Sequence, residues 1–243
     1  VVSVGNLTVG GTGKTACVEL IARKLLAQGR RVAVLLRGYG GTRRDYWLRW
    51  DAGRLLVNGE AGPESDGLAP PPKGLVGGLA DEPQLLARRL EGIPVLVGPR
   101  RDRTGRLACA QFGIDTLVLD DGFQHRRLAR DCDIVLVHAR MPLGGWALLP
   151  RGPMREPLSA LRRAQVVVLT KTDEALGTLA AVQERIQALA PDAALVSTIH
   201  EPTGLVDTAT EQPRDPRVLD GMRVGLVSSI GDPTGFEETL QRL

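Results

Sequence analysis

Gly13, Lys14 and Thr15 close the stretch NLTVGGTGKT (6–15), a glycine-rich turn of the kind that wraps a phosphate. Gly10, Gly11 and Gly13 can take backbone angles closed to other residues, so successive N–H groups can converge on one anion. Lys14 would reach the outer phosphates of a nucleotide, and the Thr15 hydroxyl would ligate Mg²⁺. The cradle so defined is Thr8, Val9, Gly10, Gly11, Thr12, Gly13, Lys14 and Thr15. Thr8 stands where the strict motif G-x-x-x-x-G-K-[ST] has Gly. The bland alternative is a turn that merely joins strand to helix; Lys-Thr at the helix start argues against it.

Further chemistry follows other apolar runs. LVLDDG (117–122) ends in Asp120 and Asp121, where a phosphate-loop enzyme holds its metal, directly or through water. Alternation along a strand puts the two carboxylates on opposite faces, and which one meets the metal stays open. Gln124 and His125 follow at once, either touching a ligand or serving the fold. Arg126, Arg127 and Arg130 are anion ligands or a solvated face. ADEPQLLARRL (80–90) opens a helix with Asp81 and Glu82, good helix-start residues; a carboxylate here is also a candidate general base for an attacking hydroxyl. LLPRGPMREP (148–157) displays Arg155, suited to stabilising phosphoryl charge, and Glu156, a candidate for the metal shell, unless it is only a stiff connector. VVVLTKTDE (166–174) carries Thr170, Lys171 and Asp173, matching the short [NT]-K-x-D signature with which GTPases read guanine.

These residues need a scaffold, and the apolar pattern supplies one. Strands are expected at 1–5, 31–38, 93–98, 115–122, 133–138, 165–171, 193–198 and 223–229, with helices at 14–28, 82–91, 103–112 and 174–190. Near-continuous Val/Leu strands alternating with helices mean an α/β fold: a phosphate-loop NTPase-like, mostly parallel sheet covered by helices on both faces. Ligands of such sheets bind beyond the carboxyl ends of the strands, where the polar clusters fall. An insertion at 42–79 interrupts the rhythm with a hairpin, YWLRW to RLLVNGE, and a Pro/Gly-rich loop at 61–78. The expected organisation is a core domain over 1–200, a linker over 201–222 and, at 223–243, the start of a smaller C-terminal α/β unit.

Composition narrows the partners. The net charge of +3 suits an anionic ligand or membrane surface, and aromatics at 3% argue against stacking platforms for nucleic acid. Cys17, Cys109 and Cys132 lack metal or disulfide spacing and read as free thiols of a reducing compartment. No apolar run is long enough for a transmembrane helix. The chain begins in a core strand with Val rather than Met and stops within a helical pattern, so both ends are read as cut from something longer.

Taken in order, VGNLTVGGTGKT, LLRGYGG, DEPQLLARR, LVLDDGFQHRRLARD, LLPRGPMREPLSALRRA and SSIGDPTGF resemble the tetraacyldisaccharide 4'-kinase family across essentially the whole chain. Thr at the first phosphate-loop position is that family's own variant. The resemblance implies ATP- and Mg²⁺-dependent transfer of a phosphoryl group to the 4'-hydroxyl of a tetraacylated disaccharide 1-phosphate, forming lipid IVA in lipid A biosynthesis. It implies a monomer held peripherally on the cytoplasmic face of the inner membrane, with the lipid A disaccharide precursor as partner and no nucleic acid. The family's membrane-binding helix and its later Asp-His-His motif have no counterpart in this sequence. By resemblance Asp81 is the general base, Asp121 and His125 line the catalytic site, and Thr15, Asp120 and Glu156 serve the metal. The chain departs from the family pattern at Ala80 and His138. The alternative from another class is a phosphate-loop GTPase switch or metallochaperone using TKTD; it should prefer GTP strongly and be indifferent to Asp81.

Overall fold

A strand apolar at every position must be covered on both faces, and the layers follow from that requirement. The computed structural model describes residues 1–39, 45–58, 60–61, 79–140, 147–175, 177–199, 201, 204–210, 212–228 and 233–241. The Pro/Gly-rich loop over 62–78, Gly40 and Gly41 of the RGYGG cluster, and 229–232 of SSIGDPTGF lie outside the described residues. The chain runs β1 (Val2–Asn6), α1 (Lys14–Ala27), β2 (Val32–Leu36), β3 (Tyr46–Asp51), β4 (Arg54–Val57) and β5 (Glu60–Ala61). It continues through α2 (Asp81–Arg89), β6 (Val95–Val97), α3 (Arg101–Phe112), β7 (Thr116–Asp120), β8 (Cys132–His138) and β9 (Val166–Thr170). It ends with α4 (Leu179–Leu189), β10 (Ala194–Ser197), β11 (Leu205–Val206), β12 (Pro213–Arg214) and α5 (Pro233–Gln241).

One sheet of ten strands has the order β10-β9-β8-β1-β7-β2-β6-β3-β4-β5. The strands from β10 to β6 run parallel, and β3 to β5 extend the sheet antiparallel. The insertion's hairpin is therefore a sheet extension: β3 pairs with β6, with Leu48 beside Val95. Period-2 alternation sorts β2 between two cores. Val32, Val34 and Leu36 pack with Val18 and Ala22 of α1 and Leu86 and Ala87 of α2. Ala33 and Leu35 pack on the opposite side with Ala108 of α3. Val135, Val137, Val167 and Leu169 meet Val182 and Ile186 of α4. Helices thus cover both faces of a mostly parallel sheet, as the sequence pattern requires.

Two element expectations fail toward the C-terminus. RVGLVSS forms no strand over its described residues 223–228, which are irregular and exposed. A strand needs a neighbour to take its N–H and C=O groups, and no described strand pairs with it. The helix expected at 174–190 begins only at Leu179, after a 3₁₀ turn over Thr172–Glu174. The stretch read as a linker carries the small β11–β12 ladder and a 3₁₀ turn, Pro216–Leu219, capped by the Asp215 side chain accepting from the Arg217 N–H.

Candidate functional site

The phosphate loop sits at the carboxyl end of β1, the strand between β8 and β7. Gly10 and Gly13 have positive φ (106° and 80°), and Gly13 is the N-cap of α1. Such angles leave backbone N–H groups turned inward and open to an anion. Buried Asn6 donates from Nδ2 to Thr12 Oγ1 at 3.0 Å, tying the two shoulders of the loop together. Lys14 Nζ donates to the Gly10 carbonyl at 3.5 Å and lies 3.9 Å from Asp121 Oδ1. Burial lowers the Lys14 pKa, while Asp121 pulls it upward.

A second segment clasps the loop. Val9 donates its N–H to the Pro153 carbonyl at 2.8 Å, and Arg155 donates its N–H to the Leu7 carbonyl at 2.7 Å. Thr8 and Met154 form an antiparallel bridge between them. LLPRGPMREP is thus laid strand-like along the first residues of the cradle, which delivers the Arg155 side chain to Asp121. Arg155 Nη1 donates to both Asp121 oxygens at 2.7 Å.

The DDGFQH turn folds back over β1. Asp120 ends β7 level with Val4, and Asp121 then takes a left-handed φ of 49°. Gly122 donates its N–H to the Val4 carbonyl at 3.0 Å. A Cβ on Gly122 would come 2.7 Å from Ser3 Oγ, and one on Gly5 would come 2.6 Å from Phe123 Cβ, so both glycines are needed for this close approach. Arg101, 3% exposed at the start of α3, donates from Nη1 to the Asp121 carbonyl at 3.1 Å. Gln124 Nε2 donates to the Asn6 carbonyl at 3.0 Å. Arg130 is not a surface charge. Its Nε donates to Asp133 Oδ2 (3.1 Å), and its Nη1 donates to the His125 (2.8 Å) and Gly122 (3.4 Å) carbonyls. His125 Nε2 is buried without a partner among the described residues, and burial, then the Arg101 charge, lowers the imidazole's pKa.

Opposite chemistry gathers around Thr15. Its Oγ1 donates to Glu82 Oε1 at 2.7 Å. Asp120 is 4% exposed; burial, then the charges of Glu82 and Asp121, raises its carboxyl to about 7. Two crowded carboxylates and a hydroxyl form an oxygen donor set that a hard cation relieves, so the residues fit Mg²⁺. Among the described residues no three His, Cys, Asp or Glu side chains group to cage a metal by themselves. Mg²⁺ at phosphate sites usually takes only one or two carboxylates, the rest being phosphate and water. Asp81, exposed, is the first residue of α2, next to Glu82. Glu156 is engaged elsewhere: Arg163 donates from Nη1 to Oε2 (2.9 Å) and from Nη2 to Oε1 (3.0 Å), and Arg126 Nη2 donates to Oε2 (2.9 Å). Burial pushes its pKa up and the two arginines more than offset that, leaving it lowered. Both Glu156 oxygens thus accept from arginines.

Beside Asp121 opens a cleft of about 880 Å³. Five arginines line it (Arg37, Arg101, Arg126, Arg127 and Arg155), with Asp121 the one acid among the lining residues and Val9, Tyr39 and Leu149 as apolar wall. His125 and Gln124 face it too. Arg37 stands within LLRGYGG with no role assigned to it in sequence, and Arg101 escaped the sequence reading altogether. Nothing in their local sequence distinguishes them from surface arginines; their positions, just past β2 and at the start of α3, are the only signal.

A phosphate loop after the first strand, a carboxylate ending its neighbour and a mostly parallel sheet define a phosphate-loop NTPase-like α/β protein. The chain belongs to the tetraacyldisaccharide-1-P 4'-kinase family, LpxK, whose family model matches residues 1–243. It is 47% identical over 247 residues to the tetraacyldisaccharide 4'-kinase of Anaeromyxobacter dehalogenans (strain 2CP-C), covering 100% of this chain and 60% of that protein. It is 44% identical over 250 residues to that of Syntrophus aciditrophicus, covering 100% of this chain and 63% of that one. The crystal structure of the "apo" form of LpxK from Aquifex aeolicus in complex with ATP matches with a TM-score of 0.69 at 30% identity, covering 99% of this chain and 66% of that chain. The chain spans about 60% of the length of the first of these relatives. Among the described residues no helix is long and apolar enough to cross a membrane.

Proposed function

We propose that the protein transfers the γ-phosphoryl group of ATP to the 4'-hydroxyl of tetraacyldisaccharide 1-phosphate, forming lipid IVA. The observation that carries this reading is the convergence of Lys14, Asp121 and Arg155 on one side of the loop and of Thr15, Glu82 and Asp120 on the other. Family membership names the acceptor, which the geometry does not. ATP lies with its phosphates against the loop N–H groups (8–15) and Lys14. Thr15 and Asp120, with Glu82 beside them, would hold Mg²⁺, which would supply charge neutralisation for the transferring phosphate. Arg155 meets the developing phosphoryl charge, and Asp121 keeps the guanidinium aimed there. Asp81, at the exposed start of α2, takes the proton of the attacking hydroxyl. His125, neutral because its pKa is lowered, lines the acceptor side as a hydrogen-bonding group. Glu156 would serve the metal shell through the lone pair left on Oε1, while it fixes Arg126 and Arg163. The cationic cleft suits the substrate's anionic head group, and the protein works as a monomer at the cytoplasmic face of the inner membrane.

The test is transfer of labelled phosphate from γ-labelled ATP to tetraacyldisaccharide 1-phosphate. Asp81→Ala is expected to lose roughly 10²–10⁴-fold in transfer while its Mg-ATP affinity is unchanged. Retained transfer in that variant would remove Asp81 from the role of base. Absence of any lipid phosphorylation by a protein that binds Mg-ATP would overturn the acceptor.

A further inference from the structure

The proposed transfer gives no task to Arg163, the last residue of a 3₁₀ turn over Leu158–Arg163 that follows the clasping segment. Its neighbour Arg162 is exposed, as a surface charge should be, whereas Arg163 is half-buried. The Arg163 fork meets Glu156 with two bonds, Nη1 to Oε2 at 2.9 Å and Nη2 to Oε1 at 3.0 Å. The centre of the same guanidinium stands 4.2 Å from the centroid of the Phe123 ring, a cation–π contact. Phe123 is fully buried and follows Asp120 and Asp121 in the DDGFQH turn. Arg163 thus joins the segment that carries Arg155 and Glu156 to the turn that carries the other two carboxylates.

The base of this side chain is held as firmly as its tip. Ala160 and Leu161 of the same 3₁₀ turn are buried in one cluster with Phe123, Leu7 and Met154. Gln165 Nε2 donates to the Arg163 carbonyl at 3.1 Å, and Gln165 Oε1 accepts from the Asp133 N–H of β8 at 2.7 Å. A carboxylate offers about four lone pairs, two on each oxygen. Arg163 takes one on each oxygen of Glu156 and Arg126 a second on Oε2, which leaves one on Oε1 among the described residues. Two parallel bonds from one planar fork fix the plane of the carboxylate, and with it the direction of that last lone pair. Arg126 cannot fix it, because it touches one oxygen only and its side chain is 65% exposed.

We infer that Arg163 is a positioning residue that sets the Glu156 carboxylate for the metal of the bound Mg-nucleotide, a step that rests on the place in the metal shell proposed above for Glu156. Arg163 itself touches neither nucleotide nor acceptor. Its work needs the fork and the flat face together, and a lysine, a single point charge, supplies neither.

The readout is the ratio of Mg-ATP affinity to the affinity for ATP in EDTA, both measured by calorimetry on the purified chain. Arg163→Met and Arg163→Lys are each expected to lower that ratio roughly ten-fold or more, the usual cost of losing a group that orients a metal ligand. Arg163→Lys keeps the charge and carries the test if Arg163→Met does not fold. Glu156→Gln should lower the ratio at least as far, and Arg163→Met added to Glu156→Gln should lower it no further. An unchanged ratio in folded Arg163→Lys would make Arg163 a residue of the fold and overturn the positioning role. So would a double variant whose loss is the product of the two single losses, because Arg163 would then act apart from Glu156. An unaltered chain that binds ATP no better with Mg²⁺ than without it would overturn the metal reading itself, and the positioning role with it.

Discussion

Asp120 and Asp121 are neighbours in the chain, yet they live in opposite electrostatic surroundings. Asp121 is gripped by Arg155 and stands near Lys14. Asp120 is buried beside Glu82 and its carboxyl is pushed up to about 7. The left-handed turn at Asp121 separates them, sending one carboxylate into the arginine-lined cleft and leaving the other at the end of β7. One position is already neutralised by protein cations; the other lacks its counter-charge until a cation arrives. A single peptide unit thus divides a place for anions from a place for a cation.

The sharpest way to break this division is Arg155→Ala. It should cost roughly 10²–10³-fold in transfer from labelled ATP to the lipid disaccharide, because it removes a donor aimed at developing charge. Nucleotide affinity should change far less, and an equal loss in both would make Arg155 a binding residue only. Next comes the support beneath the turn. Arg130→Met strands Asp133, whose side chain is 9% exposed, and should destabilise the fold by about 3 kcal/mol in urea unfolding. Adding Asp133→Leu should recover part of that loss; a single variant as stable as the parent would show that the clamp carries no weight. Asp120→Asn has a smaller effect with two signs. Mg-nucleotide affinity should fall roughly ten-fold, while the metal-free protein should melt at higher temperature because a crowded charge is gone.

The last effect is in pH. A carboxyl raised from 3.8 to about 7 means that the folded state holds its proton more tightly than the unfolded one. Its contribution to stability is fully present below about pH 4 and is lost as pH rises through about 7. Without Mg²⁺, the melting temperature should therefore decline between pH 5 and 8 more in the parent than in Asp120→Asn. With Mg-nucleotide the slope should flatten, since the ion takes the proton's place. Parallel curves for the two proteins would assign the effect to another group.

How much of this was legible in sequence depended on chain distance. The cradle and the strand-end carboxylates are local signals, because their spacing is set by one turn or one strand. Short apolar runs likewise marked every strand of the sheet except the two-residue β5, which is too short to carry a pattern. Glu82 was visible only as a helix-start acid; its contact with Thr15 spans 67 residues and has no local mark. The bridge between Thr8 and Met154 is longer still, and a Pro/Gly-rich stretch gives no strand signal. Arg130 read as one charge of a basic run, whereas its partners are Asp133 and two backbone carbonyls, the latter encoded by no residue pattern. The failure at 223–228 has the opposite cause: an apolar run suggests a strand, but a ladder also needs a partner.

The clasp between residues 7–9 and 153–155 makes two distant stretches into one mechanical part. The Arg155 backbone is tethered to Leu7 and that of Val9 to Pro153, so neither can shift without dragging the other. Their amides should open to solvent exchange together, as one unit. Whatever pulls on the guanidinium of Arg155 thereby tugs the glycine loop, and a loop tightened around phosphate steadies the arginine in return.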